Sequence, residues 1–458
     1  MSVKIPMNSI ILGFTGPLGS GATFISKGIE EFFGDGFKYY CLSEFIVQEL
    51  RTRGNTNPKI QDKQDVGNEL REKHGPAVLA FELMKRLSEE GGGKRGSVID
   101  GIKNAAEVRA LRQWPNFYLF SIQADKENRR TRCLKMNKFD SPEEFDFADK
   151  RDQYEQFEHG QQVTRCDYMA DIVVVNNVDI PDHDHTSKRE FIRKIHDHYI
   201  DLALESQKTE EQVLSGRRAP ELDEVCMTMA YSISKRSSCI KRQVGAVIVE
   251  LDRATENDNH SVNEIPFIVS NGFNEVPLGL KKCIYNADFQ MCYRDHLQEE
   301  HAREIKFCPN CGEKVRFELK CSCGEIHNEY KKWCRKCNRE LNPPPRCSCT
   351  KDIFSTYVPG GKDSPGKLLD MCRALHAEEM ALLQLAKISR VTNENLILYC
   401  TTQPCNLCAN KIVAAGIKNV VYAEPYSMKD AEDILKKGGV ETRRFQGVKS
   451  SAFFRLYR

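Results

Sequence analysis

The chain has almost no surplus of charge: 67 Lys and Arg stand against 65 Asp and Glu over 458 residues, a formal net charge of +2. A protein that coats nucleic acid along its whole length needs a larger basic excess, so composition argues against that class. Long apolar runs are missing too. VGAVIV (244–249) and DIVVV (171–175), among the longest, have strand length, and none reaches the roughly 20 residues a membrane-crossing helix requires. No signal-peptide pattern opens the sequence. After MSVKIPMN, the short stretch SIILGF runs straight into glycines and reads as a first strand. A cytoplasmic location is therefore expected. What the chain has in abundance is cysteine, 19 residues in all. In a reducing compartment, cysteines in such number point to metal binding ahead of disulfides.

Residues 1–205 alternate short apolar runs with helical patterns. SIILGF (9–14), GSVID (96–100), FYLFSI (117–122) and DIVVV (171–175) read as buried parallel strands. ATFISKGIEEFF and GPAVLAFELMKRL have helical apolar spacing. This alternation predicts a doubly wound α/β domain. Residues 206–220, polar with Gly and Pro, read as a linker, and a second α/β domain is expected over 221–458. Within it, 283–363 loses apolar periodicity and gains cysteines, charges and prolines, which marks an insertion.

That insertion repeats itself. Cys308, Cys311, Cys321 and Cys323 recur 26 positions later as Cys334, Cys337, Cys347 and Cys349, each copy reading CxxC, nine residues, CxC. Four thiolates on two knuckles suit tetrahedral Zn²⁺, so two structural zincs in zinc ribbons are expected, paired within or across the copies. Residues 301–350 hold 11 Lys and Arg against 6 Asp and Glu. Each Zn(Cys)₄ carries about −2, which cancels most of that surplus and favours a structural or partner-docking role over nucleic-acid binding.

The strongest chemistry lies further on. LHAEEMALLQLA (375–386) supplies H-A-E, and TTQPCNLCANKIVAAG (401–416) supplies P-C-x-x-C. Together they form the zinc deaminase signature. His376, Cys405 and Cys408 are the expected ligands of one catalytic Zn²⁺. Three protein ligands leave a fourth position open, as catalysis requires. Glu378 is the expected proton carrier between water, N3 of a cytosine ring and the departing amino group.

The N-terminal stretch GFTGPLGSGAT (13–23) nearly fits the phosphate loop G-x-x-x-x-G-K-[ST]. Gly16, Gly19, Ser20, Gly21 and Thr23 can cradle phosphates through backbone N–H groups, with Mg²⁺ held at Thr23 and Asp100. Ala22 occupies the place of the lysine, and Lys27 lies one helical turn too far along to replace it. That absence counts against phosphoryl transfer and favours a nucleotide-binding regulator, with a working kinase as the alternative. Arg129, Arg130 and Arg132 follow FYLFSI, where nucleotide kinases carry lid arginines. Taken alone, their spacing reads as a solvated helix face.

AYSISKRSSCIKRQVGAVIVE (230–250), SNGFNEVPLG (270–279), CRALHAEEMAL and QPCNLC together resemble the deoxycytidylate deaminase family. The resemblance implies the cytidine-deaminase fold, a homo-oligomer, and a sugar contact by Asn274, although Glu275 stands where the family has glycine. The N-terminal domain is similar to the nucleoside-monophosphate kinase-like branch of P-loop proteins. The whole architecture resembles the bacterial antiphage dCTP deaminases. That resemblance implies deamination of dCMP or dCTP, depletion of cytosine deoxynucleotides during phage replication, and an inhibitory partner that restrains the enzyme. A tRNA- or single-stranded-DNA-editing deaminase is the rival, but no aromatic-rich basic stretch flanks either motif.

Overall fold

The computed structural model describes residues 9–90, 93–155, 157–181, 184–208, 218–252, 265–285, 292–297, 319–321, 323, 325–327, 372–387, 395–426 and 429–457. Of the ribbon cysteines, Cys308, Cys311, Cys334, Cys337, Cys347 and Cys349 lie outside the described residues. The chain divides into two compact units: 1–229 with 421–426 and 442–458, and 230–420 with 427–441. The second domain was expected to run unbroken to residue 458, so the assignment of 442–458 to the first unit differs from that reading.

The first unit is built on β1 (Ile10–Thr15), β2 (Phe37–Cys41), β3 (Gly96–Asp100), β4 (Phe117–Gln123) and β5 (Ile172–Val175). Its helices are α1 (Ala22–Phe33), α2 (Ser43–Thr52), α3 (Ile60–His74), α4 (Val78–Glu90), α5 (Ala105–Leu111), α6 (Lys126–Lys135), α7 (Pro142–Gln153), α8 (Val163–Met169), α9 (His185–Ile195) and α10 (Asp201–Glu205). β1 pairs in parallel with β3 and β4, β3 with β2, and β4 with β5. Every residue of β1, β3 and β4 is buried, as a parallel strand covered on both faces must be. Alternate residues of β1 serve different layers. Ile10, Leu12 and Phe14 pack with Ile25 and Ile29 of α1 and Ile192 of α9. Ile11 faces the opposite side, with Leu79 and Leu83 of α4 and Val108 of α5. β2, FKYYC, lacks a continuous apolar run, and the sequence pattern did not mark it.

The second unit holds most of a sheet formed by β6 (Gly245–Asp252), β7 (Ile265–Phe273), β10 (Leu396–Thr402), β11 (Asn419–Glu424) and β12 (Glu441–Arg444). Their order is β12-β11-β10-β6-β7, and β6 pairs antiparallel with both β7 and β10. A separate antiparallel ladder, β8 (Leu319–Lys320) with β9 (Ile326–His327), sits beside Cys321, whose N–H donates to the Glu325 carbonyl at 2.8 Å. Helix α11 (Leu222–Ser234) precedes β6. Two further helices, α12 (Ala377–Leu385) and α13 (Asn406–Ala414), begin at the signature motifs, and α14 (Lys429–Lys437) follows β11.

The C-terminal segment closes the first unit. β13 (Gly447–Val448) pairs antiparallel with β5, and Val448, Ala452 and Leu456 around α15 (Ser450–Leu456) join the core over α1 and α9. Glu224 anchors it. Its carboxylate accepts from Val448 N at 2.8 Å, Tyr457 Oη at 2.5 Å and both Arg218 Nη atoms at 2.8 and 3.0 Å. Burial alone would raise its pKa, but those hydrogen bonds outweigh it and hold Glu224 below the ordinary glutamate range. A depressed folded-state pKa gives stability that is present above the unfolded value and lost on acidification. Docking of the tail should therefore hold at neutral pH and weaken as pH falls below about 4.3. Glu224→Ala, which strands a half-buried Arg218, should cost about 3–5 kcal/mol. Thermal melts of both proteins at pH 7 and pH 4 should show the gap between them narrowing in acid.

Candidate active site and nucleotide cavity

Two helix starts converge in the second unit. His376 is the N-cap of α12 and Cys405 the N-cap of α13, both with extended backbone. His376 Nδ1 lies 3.3 Å from Cys405 Sγ and 3.3 Å from Cys408 Sγ. These three ligand atoms lie within 4.8 Å of one another, the spacing of a metal-binding set. An imidazole and two thiols on helix N-termini suit Zn²⁺, because the helix ends favour thiolate. The thiols behave accordingly. Hydrogen bonding from Cys408, aided by His376, holds Cys405 down to about 4, while Cys408 is pushed up by its thiolate neighbour. Hydrogen bonding to Cys405 raises His376 in turn.

The backbone fixes this geometry. Leu375 pairs with Glu275 through Leu375 N→Glu275 O at 2.9 Å and Glu275 N→Leu375 O at 3.2 Å. The residue before His376 is thereby tied to the end of β7. Gly272 on β7 lets α12 approach: a Cβ there would lie 2.2 Å from Ala377 O. Lys411 of α13 reaches Glu379 of α12 at 2.5 Å, linking the two helices. Glu275, at the family's glycine position, accepts from Ser238 Oγ at 2.5 Å and Val276 N at 2.9 Å, bracing the same turn.

Glu378 is fully buried, and burial raises its pKa above the ordinary range. Cys400 lies beside it, its thiol also pushed up by burial. Cys400 faces this carboxyl and is not a member of the His376 set. A buried carboxyl beside a zinc-type donor set is placed to take and return a proton.

Asn274 is engaged within the fold. Its Oδ1 accepts from Val244 N at 2.7 Å, and its Nδ2 donates to Arg242 O at 2.9 Å. The side chain thus holds the β6 entry against the end of β7. A second thiol group, Cys239, Cys283, Cys292 and Cys372, gathers from four separated stretches and has no short-motif signal. Burial and these neighbours push Cys283 up to about 11. Their sulfurs do not close to the spacing of the His376 set.

In the first unit, residues 16–21 turn between β1 and α1. Gly19 and Gly21 have φ of +78° and +91°, which glycine alone adopts without strain. Thr23 Oγ1 donates to Asp100 Oδ2 at 2.7 Å, and Tyr39 Oη donates to the same oxygen at 3.1 Å. Asn176 Nδ2 donates to Ser20 O at 2.8 Å. The loop opens on a cavity of about 870 Å³, also lined by Ala22, Lys27 and Lys103, large enough for a nucleotide. The arginines do not form a solvated face. Arg129 is buried and paired with Asp149, while Arg132 donates to Gly19 O at 3.3 Å and Val178 O at 2.8 Å. Lys103 had no motif to announce it. Its Nζ donates to Gly16 O at 2.9 Å and pairs with Asp152 at 2.9 Å.

The family described as "Cytidine and deoxycytidylate deaminase zinc-binding region" matches residues 296–424. Over 357 residues the chain is 26% identical to the deoxycytidylate deaminase of Schizosaccharomyces pombe, covering 78% of this chain and 79% of that protein. Structural similarity is found to the dCMP deaminase from the cyanophage S-TIM5 in complex with dCMP and dUMP, with 22% identity, a TM-score of 0.25 and coverage of 50% of this chain and 100% of that one. It is also found to shikimate kinase from Acinetobacter baumannii in complex with shikimate, with 16% identity, a TM-score of 0.28 and coverage of 44% and 97%. Residues 296–424 are thus similar to the deaminase zinc-binding region, and deoxycytidylate deaminases are among the proteins the chain resembles in sequence. Among the described residues, no helix is long and apolar enough to cross a membrane.

Because both ends of its amide are engaged, Asn274→Ala should unpair Val244 N and cost about 1–3 kcal/mol of stability. Urea unfolding should show the loss without added nucleotide. A residue that only touched substrate would leave the transition unmoved.

Proposed function

We propose that the chain is a zinc-dependent deaminase of deoxycytidine nucleotides, dCMP or dCTP, with a nucleotide-binding P-loop unit as its regulator. The observation that carries this reading is the convergence of His376, Cys405 and Cys408 beside buried Glu378. The family match over 296–424 and the S. pombe relative's name support the substrate class. Depletion of the cytosine deoxynucleotide pool in phage defence is the role that the resemblance of the whole architecture supports.

His376, Cys405 and Cys408 would hold the zinc. When bound, zinc supplies Lewis acidity and brings the pKa of water toward neutrality. Glu378 takes the proton that water gives up and delivers it to N3 of the cytosine ring. Water oxygen bonds to C4, Glu378 takes the proton left on that oxygen and passes it to the amino nitrogen, and the C4–amino bond breaks as ammonia leaves. A deoxyuridine nucleotide remains. The raised Glu378 pKa lets the carboxyl both accept and donate within one turnover.

Glu378→Gln keeps the shape and removes the proton carrier. It should retain zinc by metal analysis and lose at least about 10²-fold in turnover, the lower end for general acid–base catalysis. Ammonia release should be measured on dCMP, dCTP, CMP, CTP and a cytosine-containing oligonucleotide. Turnover on the oligonucleotide alone would overturn the nucleotide reading, and zinc loss in the variant would overturn the role of Glu378.

The regulator reading rests on Ala22 in the lysine position and on a loop otherwise shaped for phosphates. Gly21→Ala would place a Cβ 2.3 Å from Asn176 Nδ2 at a positive φ. It should weaken nucleoside triphosphate binding by about tenfold or more and change how added triphosphates alter deamination. No ADP should form from ATP with dCMP or dTMP. Clear ADP production by the native protein would make this unit a kinase.

A further inference from the structure

Helix α3 carries Gln64, Gly67 and Arg71, which share one helical face by their spacing of three and four. Gln64 and Arg71 both line the cavity, yet they are only 5% and 1% exposed. Each has one end fastened: Gln64 Nε2 donates to Ala148 O at 3.2 Å, and Arg71 Nε donates to Glu107 at 2.8 Å. Each leaves one buried polar atom without a partner among the described residues, Oε1 of Gln64 and Nη1 of Arg71. Such atoms cost stability unless something fills them. Gly67 has close neighbours on this face: a Cβ there would come 3.0 Å from Ile46 Cδ1, 3.4 Å from Arg71 Nη1 and 3.8 Å from Gln161 Nε2.

Two of the cations that line the cavity are already paired. Arg71 is paired with Glu107, and Lys103 with Asp152. A phosphate would find no spare cation in either pair. A neutral planar group with one hydrogen-bond acceptor and one donor would satisfy Arg71 Nη1 and Gln64 Oε1 together. Ile46 and Ile60 add apolar wall to the same cavity. Nucleobase edges offer that pattern. Resting on the reading of the loop as a phosphate site, we propose that Gln64 and Arg71 read the base of a nucleoside phosphate whose phosphates lie toward the P-loop. The unit then senses which nucleotide is present as well as that one is present.

Calorimetric titration of the full chain with dTTP, dATP, dGTP and inorganic tripolyphosphate tests this. At least one nucleotide should bind about tenfold or more tighter than tripolyphosphate. Gln64→Leu and Gly67→Ala should each remove that advantage and leave tripolyphosphate binding unchanged. Thermal melts of both variants check that each is folded: in Gly67→Ala, Ile46 must yield a few tenths of an ångström to the new Cβ, against which alanine's preference for a helix interior works. Nucleotides binding no better than tripolyphosphate, or an advantage that survives in both variants, would overturn the proposal. Absence of tripolyphosphate binding alongside a Gln64-dependent nucleotide preference would instead overturn the phosphate-loop reading and leave the base site standing.

Discussion

The His376 imidazole between two thiols is the contact on which the second unit's chemistry depends. Its position is set by backbone. Leu375 pairs with Glu275, α12 presses on Gly272, and Glu379 joins α12 to α13 through Lys411. Cysteine is costly to ionise in a buried place, so the thiolate needs compensation before a metal arrives. The N-terminus of α13, the Cys408 hydrogen bond and the imidazole supply it. At Glu378 burial outweighs the help of His376, its own backbone N–H and the Cys400 thiol. The same pocket therefore stabilises a thiolate and disfavours a carboxylate, a division of ionisation states that zinc-assisted proton transfer requires.

The first unit solves a different electrostatic problem. Its cavity contains many cations, but several are already neutralised or bound to carbonyls. Lys103 pairs with Asp152, Arg71 with Glu107, Arg129 with Asp149, and Arg132 donates to the P-loop carbonyl of Gly19. Lys103, Arg129 and Arg132 also donate to the loop carbonyls of Gly16, Leu18 and Gly19 and hold its shape. The loop's own N–H groups and the start of α1 remain the natural place for phosphate charge.

The parts of this architecture that were legible in the sequence are those whose signal is local. Strands buried on both faces announce themselves as apolar runs, and H-A-E with P-C-x-x-C places three ligands on two helical first turns. The parts that were not legible depend on partners far along the chain. β2 is half polar in its pattern, and β13 is two residues long and acquires meaning only beside β5. Glu275 looks like a departure from a glycine motif until Ser238 is seen beneath it. Asn274 reads equally well as a turn residue or a sugar contact, and only the positions of Arg242 and Val244 show what its amide holds. Gln64 and Arg71 fall in a charged helix whose pattern gives no hint that two of its polar side chains are almost wholly buried.

The pairing of cations in the first unit bears on why Ala22 is tolerated. Phosphoryl transfer needs positive charge free to follow the moving phosphoryl group, which the P-loop lysine supplies. Lys103 approaches the loop from the end of β3, but it is held by Gly16 O and Asp152. Freeing it would leave Asp152 buried and uncompensated, at a cost of several kcal/mol. A cation fixed that firmly can shape a phosphate site without tracking a transition state. Ground-state binding asks only for preformed donors, and the glycine-rich turn provides them whether or not a lysine follows. Under the proposed reading, the absence of that one side chain would remove turnover more readily than recognition, and the arrangement around Lys103 fits a unit that would bind a nucleotide and keep it intact.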